Sequence, residues 1–577
     1  MTSISANGAT QTIYIGTILG RNSYGINDTT TPNPLTFPCQ IVNSNGSATL
    51  KVVFLSDITV STTNDYFYVS SGSNVQFGSE SLKSDGTVPV ITVNGVSGYP
   101  GFIRNGTSGA NGRANVSIYN LQVRATNEAT LGSSGGWIAQ SYFAKGASGN
   151  FIVNCSSAGN IPSACGGIAG SFAGSESGGN LTIRGCSSTG EFNVNGAGGI
   201  VGIYTAQNGG TLTIDQCYST GTIGTNSGGI LANFGGANGG TVTITNCFTL
   251  GSIDNNAGGI AGPNCGRGAG STFTVSSCYT EGAIQGNSSG GILGYQAGIY
   301  SGVATVSNCY SRGNITGTSA GGIVGANAAI GLSSSDVGTV QVTNCYTSGS
   351  ATGSTGGIVS GFNTDSINQT AASDNNWANI SVSNSKSEGN AGSSGWNSSN
   401  AESYLSMTSW VVPSGTNVPY KLKTFGFHPY SLTNISSNSF SLAFAHPTVN
   451  AGDFSNTVAL VSGPINFAIL TNTSVQIDPN NGRLYVPSSL SAGTYTLSLQ
   501  CNSGSYVTLY FTITLLVLPP TVSQLIPTSA IKYSTESEKT ELRTANALIM
   551  DRVGNPNLRF ATQADYIKYK MGLNIRS

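Results

Sequence analysis

The sequence predicts an all-β chain whose main body is a right-handed parallel β-helix of about ten coils. Three observations predict it. Cys155, Cys186, Cys217, Cys247, Cys278, Cys309 and Cys345 recur at intervals of 31, 31, 30, 31, 31 and 36 residues. A Gly-Gly-Ile phrase recurs with them, ending on Ile168, Ile200, Ile230, Ile260, Ile292, Ile323 and Ile358. Between these markers apolar and polar residues alternate, and no stretch of the repeat has helical spacing.

The repeat from Gly210 to Gly240 shows the elements of one coil. Thr211-Leu-Thr-Ile-Asp alternates, with Leu212 and Ile214 on one face, and reads as a first strand. Gln216-Cys217 makes a bend. Tyr218 to Ile223 reads as a second short strand. Gly and Asn then turn the chain, Ile230-Leu-Ala reads as a third strand, and residues 233–240 form a loop. A single coil cannot bury its inward face. Stacked coils can, because each strand pairs in parallel with its equivalents and like residues form ladders. The inward ladder is expected to hold the Ile of Gly-Gly-Ile, the Ile or Val before each cysteine, and the cysteines.

The pattern continues at both ends. Val116-Ser-Ile-Tyr-Asn-Leu-Gln-Val with Gly135-Gly-Trp-Ile-Ala fits the same template, and Asp57-Ile-Thr-Val, Ile91-Thr-Val-Asn and Tyr99-Pro-Gly-Phe-Ile fit it loosely. After Cys345 comes one more copy, Ile380-Ser-Val-Ser-Asn-Ser385, with serine in the cysteine position. Ten or so coils at about 4.8 Å give a rod of roughly 50 Å. Open ends would be adhesive edges. Residues 1–35 are expected to cap the first coil. Residues 400–410, with a short helix over Ala401–Met407, are expected to cap the last, so the β-helix covers 36–410.

Residues 411–520 lack the period. Strand-like runs at Ser439–Phe444, Val458–Val461, Asn466–Leu470, Val475–Ile477, Gly482–Val486, Gly493–Leu499 and Tyr506–Ile513 suggest an immunoglobulin-like sandwich. Ile477-Asp-Pro-Asn-Asn-Gly-Arg-Leu-Tyr-Val-Pro, followed by Ala492-Gly-Thr-Tyr, resembles the Ig-like and cadherin-like modules of surface proteins. Residues 521–577 form a basic tail with eight Lys or Arg and five Asp or Glu. Ser537–Asp551 and Thr562–Gly572 have helical composition there. Fifty-odd residues barely form a core, so this tail is expected to dock on something else.

Bulk composition excludes several classes. Of 577 residues, 38% are hydrophobic and only 8% charged, and glycine supplies 80. A net charge of −1 argues against a general nucleic-acid binder. No run reaches the roughly 20 apolar residues of a membrane span. The opening MTSISANGATQTIYIGTILG has neither the basic nor the apolar region of a secretory signal. Neighbouring ladder cysteines would stand one strand spacing apart with parallel side-chain vectors, an awkward geometry for a disulfide. Reduced, buried thiols are expected instead. With no Cys-x-x-Cys and only two histidines, His428 and His446, no metal site and no cofactor are expected.

Parallel β-helices host polysaccharide lyases and hydrolases, so catalysis has to be weighed. Glycoside hydrolysis normally needs two placed carboxylates. The acids of the coils, Glu176, Glu191, Asp215, Asp254, Glu281 and Asp336, fall at different repeat positions, and Arg184, Arg267 and Arg312 are isolated. The chain is read as no enzyme, with no catalytic residues. A binding surface has more support. The residue after the cysteine is aromatic in five consecutive coils: Tyr218, Phe248, Tyr279, Tyr310 and Tyr346. Alternation puts it opposite the cysteine, on the outside, where stacked rings would offer a face to sugars or to another protein. The other reading is a structural ladder that stabilises its own neighbours. The loops at 327–337 and 362–379 are further candidates.

Repeats of the form Cys-Tyr-Ser-x-Gly-x-Ile followed by Gly-Gly-Ile-x-Gly resemble the GLUG-type repeats of bacterial adhesins and related β-helix surface proteins, over about Asn115 to Trp410. The whole arrangement also resembles virion proteins of large icosahedral DNA viruses. That resemblance implies a minor capsid, vertex, spike or fibre component. It would be made in the host cytoplasm, joined to capsid proteins through its tail, and exposed for host attachment. A homo-oligomer is compatible with such a rod. The alternative is a cell-surface adhesin that binds a glycan through the aromatic stack, and a third reading is a polysaccharide lyase or hydrolase.

Overall fold

Thr211–Asp215 lies parallel to Thr241–Thr245, with Leu212 beside Val242 and Ile214 beside Ile244. The same register passes to Thr272–Ser276, Val303–Ser307 and Thr339–Thr343. Each repeat supplies an apolar side chain at the same place, so a slip of one residue would turn every apolar side chain outward. The computed structural model describes residues 3–6, 11–16, 23–26, 34–44, 47–78, 89–333, 335–351, 356–360, 367–373 and 376–387. Beyond 387 it describes Leu405 and strands between 410 and 517. The described residues contain strands and turns and no helix.

The chain divides into two compact units, Met1–Phe425 and Gly426–Ser577. In the first, long parallel sheets run through the repeats, a pattern consistent with a parallel β-helix. A 16-stranded sheet collects the first strand of each coil and an 11-stranded sheet collects the second. The third line begins as a 4-stranded sheet, Ser3–Ala6, Cys39–Asn43, Phe67–Gly72 and Ile103–Arg104. It continues as single parallel bridges from Ile103 to Ala139, Ala169, Val201, Leu231, Ala261, Leu293, Val324 and Val359. The third strand expected at Ile230–Ala232 is therefore a pair of bridges, at Gly228 and Leu231, because the flanking turns leave no room for a longer run.

The corner before each cysteine explains why Asn recurs there. Gln216, Asn246, Ser277, Asn308 and Asn344 all have φ between 52° and 57°. That left-handed conformation turns the chain in one residue, and Asn adopts it more readily than most residues. The second Gly of Gly-Gly-Ile has a different cause. A Cβ on Gly229 would overlap the carbonyl oxygen of Gly259 and the methyl of Thr249 in the next coil. Thr249 in turn donates its hydroxyl to the Gly259 carbonyl at 2.8 Å, and Ser219 does the same to Gly229 at 2.6 Å. The second and third lines are thus clasped by a hydroxyl two residues after the cysteine.

The lumen changes filling along the stack. Phe54, Phe67, Phe77 and Phe102 meet at centroid distances of 5.3 to 6.1 Å with Phe37 in the early coils. From Cys155 onward buried Ile, Val, Leu, Ala and Cys predominate, with Phe192 and Phe273 among them. At the start, Ser3–Ala6 and Gln11–Ile15 already pair in parallel with Cys39–Asn43 and Leu50–Phe54, inside the segment read as a cap. At the far end, Asn376–Ser383 pairs in parallel with Thr339–Thr343 and is covered by Ile367–Ser373 running antiparallel. The stretch expected to be the loop 362–379 thus contributes a hairpin, and an antiparallel strand cannot be extended by another in-register coil. The expected helix at Ala401–Met407 lies outside the described residues apart from Leu405.

In the second unit, a 4-stranded sheet joins Ser439–Phe444, Val507–Val517, Gly493–Ser503 and Ile465–Ile469 in that order. A 3-stranded sheet joins Thr448–Val449, Leu484–Tyr485 and Gln476–Ile477. Ser439–Phe444 runs parallel to Val507–Val517 and the other pairs run antiparallel. The strand expected at Val458–Val461 and both helices expected in 521–577 lie outside the described residues.

Candidate functional site

Three files of side chains run along the coils, each generated by the repeat. The first is the cysteine file. Cys155, Cys186, Cys217, Cys247, Cys278, Cys309 and Cys345 are all fully buried and unpaired as disulfides. The amide of Cys155 donates to Cys186 Sγ at 3.4 Å, and the same bond repeats from Cys186 to Cys217, Cys217 to Cys247, Cys247 to Cys278 and Cys278 to Cys309. Each thiol also donates back to the carbonyl two residues before it, at 3.1 to 3.4 Å. That carbonyl already accepts the amide of the corner residue in the preceding coil, as Thr245 does from Gln216 at 3.2 Å, so the thiol is its second donor. The cysteine amide has the sulfur as its acceptor, and without it would be a buried donor left unmet. Burial pushes the thiols of Cys155, Cys186, Cys247, Cys309 and Cys345 well up. At Cys217 and Cys278 burial acts the same way, and sulfur hydrogen bonds from both neighbouring rungs oppose it. Burial is the cause common to all seven, and a lumen lined by Ile and Val has no cation to hold a thiolate, so the file is neutral.

The second file corrects an expectation. Tyr218, Phe248, Tyr279 and Tyr310 do stack, with centroids 4.9 Å apart and planes within 11°. Tyr346 follows Tyr310 in register. They are not on an exposed surface: their exposures are 6%, 1%, 2%, 0% and 0%. Alternation does set them opposite the cysteines. Being opposite the lumen is not the same as being in water, and stacking at the strand spacing closes both faces of every inner ring. The faces that a sugar would stack on are already used. Burial pushes the hydroxyls of Tyr218, Tyr279 and Tyr310 up, as it does for any phenol removed from water.

The third file was missed in the sequence. Tyr142, Phe172, Tyr204 and Phe234 stack in four successive coils, at 4.7, 5.3 and 4.9 Å with planes within 20°. Each is only half-buried. Each has φ between 55° and 62°, a conformation costing a bulky residue roughly 1–2 kcal/mol. Stacked pairs return about 0.5–1.5 kcal/mol each. The same position in the next three coils holds Asn264, Gln296 and Asn327, with the same φ and no ring. Lys145 Nζ lies 5.7 Å from the Tyr142 centroid at one end, and Arg267 lies 5.8 Å from Phe234 at the other. The signal was available: all seven residues follow the Ile of the Gly-Gly-Ile position, Ile138 in the first, by four.

The acids of the coils are engaged with neighbouring rungs, except Asp336, whose carboxylate bonds within its own loop. Asp215 accepts from Thr245 at 2.9 Å and Asn246 at 2.8 Å and pairs with Arg184 at 3.3 Å. Glu281 pairs with Arg312 at 3.8 Å. Asp254 accepts from Thr225, Glu191 from the Thr222 amide, Glu176 from Asn208, and Asp336 from Ser333. Among the described residues, no group of three or more His, Cys, Asp or Glu side chains could hold a metal ion. Comparison with protein-family models, with curated proteins and with solved structures finds no match.

Proposed function

We propose that the chain is a non-enzymatic structural component of a virion surface of a large DNA virus. In this reading a right-handed parallel β-helix of GLUG-type repeats projects from the particle, an Ig-like module spaces it, and residues 521–577 dock on capsid proteins. The observation that carries the reading is the file from Cys155 to Ser385, in which five cysteine amides bond the sulfur of the next rung and the Cys345 amide bonds Ser385 Oγ. Such repetition suits a rod whose work is mechanical. Ten described cysteines, all buried and none in a disulfide, suit assembly in a reducing cytoplasm. Deleting residues 521–577 should abolish incorporation into particles while leaving the coils folded. Incorporation at the wild-type level would overturn the reading.

A further inference from the structure

We infer that the partly exposed file Tyr142, Phe172, Tyr204 and Phe234 is the track on which the rod holds a linear, neutral glycan. This goes beyond the structural function proposed above, and it does not require residues 521–577. Four rings occupy a left-handed position that Asn264, Gln296 and Asn327 fill without a ring in the next three coils, so the coil itself does not require an aromatic side chain there. The file is one ring wide and three rung intervals long, each about the width of a strand. A protein partner needs on the order of 800 Å² per side, far more than such a strip offers. A chain-like ligand fits it.

The neighbouring residues select the ligand's chemistry. Four positions after Phe172, Tyr204 and Phe234 come Glu176, Asn208 and Asn238. They form a polar file of their own, Asn208 to Glu176 at 3.3 Å and Asn238 to Asn208 at 3.4 Å, with both Asn residues exposed. An apolar track beside a row of amides matches a molecule with a C–H side and a hydroxyl edge. The inner rings have closed faces, so they contribute outward edges and apolar area, and the amides supply donors and acceptors to hydroxyls. Glu176 within the row, with Lys145 and Arg267 only at the ends, disfavours a polyanion.

The test is an array of cello-, malto- and chito-oligosaccharides probed with the full chain and with the triple variant Phe172→Asn, Tyr204→Asn, Phe234→Asn. Asn is the residue that later coils carry there, so the variant keeps a backbone conformation suited to the site. Wild type should be retained on at least one series, and the variant should bind about tenfold or more weakly with an unchanged or higher melting midpoint. Hydroxyl-radical footprinting of the wild type needs no variant: the oligosaccharide should protect Tyr142 and Tyr204 and leave Tyr295 unchanged. Absence of wild-type binding overturns the inference, and so does equal binding by the variant or protection elsewhere. None of these outcomes bears on incorporation into particles, so the two proposals fail separately.

Discussion

The amide of Cys345 donates to Ser385 Oγ at 3.0 Å, where five earlier rungs offer a cysteine sulfur at 3.4 Å. Ser385 then donates to the Ser383 carbonyl at 3.0 Å, as each thiol does to the carbonyl two residues before it. One oxygen reproduces both bonds of the sulfur. The cysteine is therefore in the file for its hydrogen bonds at a buried corner as well as for its apolar bulk, and the chain contains its own control for that statement.

Cys278→Ala should be clearly destabilising and Cys278→Ser much less so. Alanine removes the acceptor of the Cys247 amide and leaves that buried donor unmet, which costs about 1–3 kcal/mol. Serine keeps an acceptor. Urea midpoints of the two variants measure the difference. Equal loss in both would mean that volume alone matters at this site.

Stability should fall in alkali. Burial pushes Cys39 from an ordinary 9.0 up to about 12 and Cys165 up to about 11. Cys265 likewise rises to about 12. The unfolded chain releases these protons near pH 9 and the folded chain holds them. The contribution is therefore complete below pH 9 and is lost as pH rises toward the folded values. Melting midpoints should be level on the acid side of that point and drop between pH 9 and 11. A midpoint independent of pH across that interval would show that the thiols are not sealed from water.

Gly259→Ala should destabilise by about 2 kcal/mol or more, because its Cβ would meet the Gly291 carbonyl and the Thr280 methyl at the clasp between coils. Gly109→Ala has no heavy atom within 4 Å of the new carbon and should change stability by less than about 1 kcal/mol. Thermal denaturation of the pair checks this. Comparable losses would refute the reading that Gly-Gly is demanded by inter-coil contact.

Much of the fold could be read from the repeat, because in a stack of parallel coils the sequence period is the spatial period. The spacing of the cysteines placed Leu212 beside Val242 before any distance was known. The Asn residues before the cysteines were visible but not understood, since a left-handed corner shows only in backbone angles. Alternation puts Tyr279 opposite the lumen but does not say that it is buried, and it says nothing of Phe172. Both are one-per-coil aromatics, and nothing in their local patterns says that the first is fully buried and the second partly exposed.

The sequence by itself determined which residues repeat, hence which side chains meet across coils and that the body is built of parallel strands. It also placed serine at the end of the cysteine file. Only the tertiary structure decided which file is sealed and which meets solvent, that the third line thins to single bridges, and that an antiparallel strand closes the growing edge. The physical reason is that periodicity specifies neighbours along the stack. Burial depends on what lies across it, and that is set by turns and by contacts between different faces, which have no period to be read.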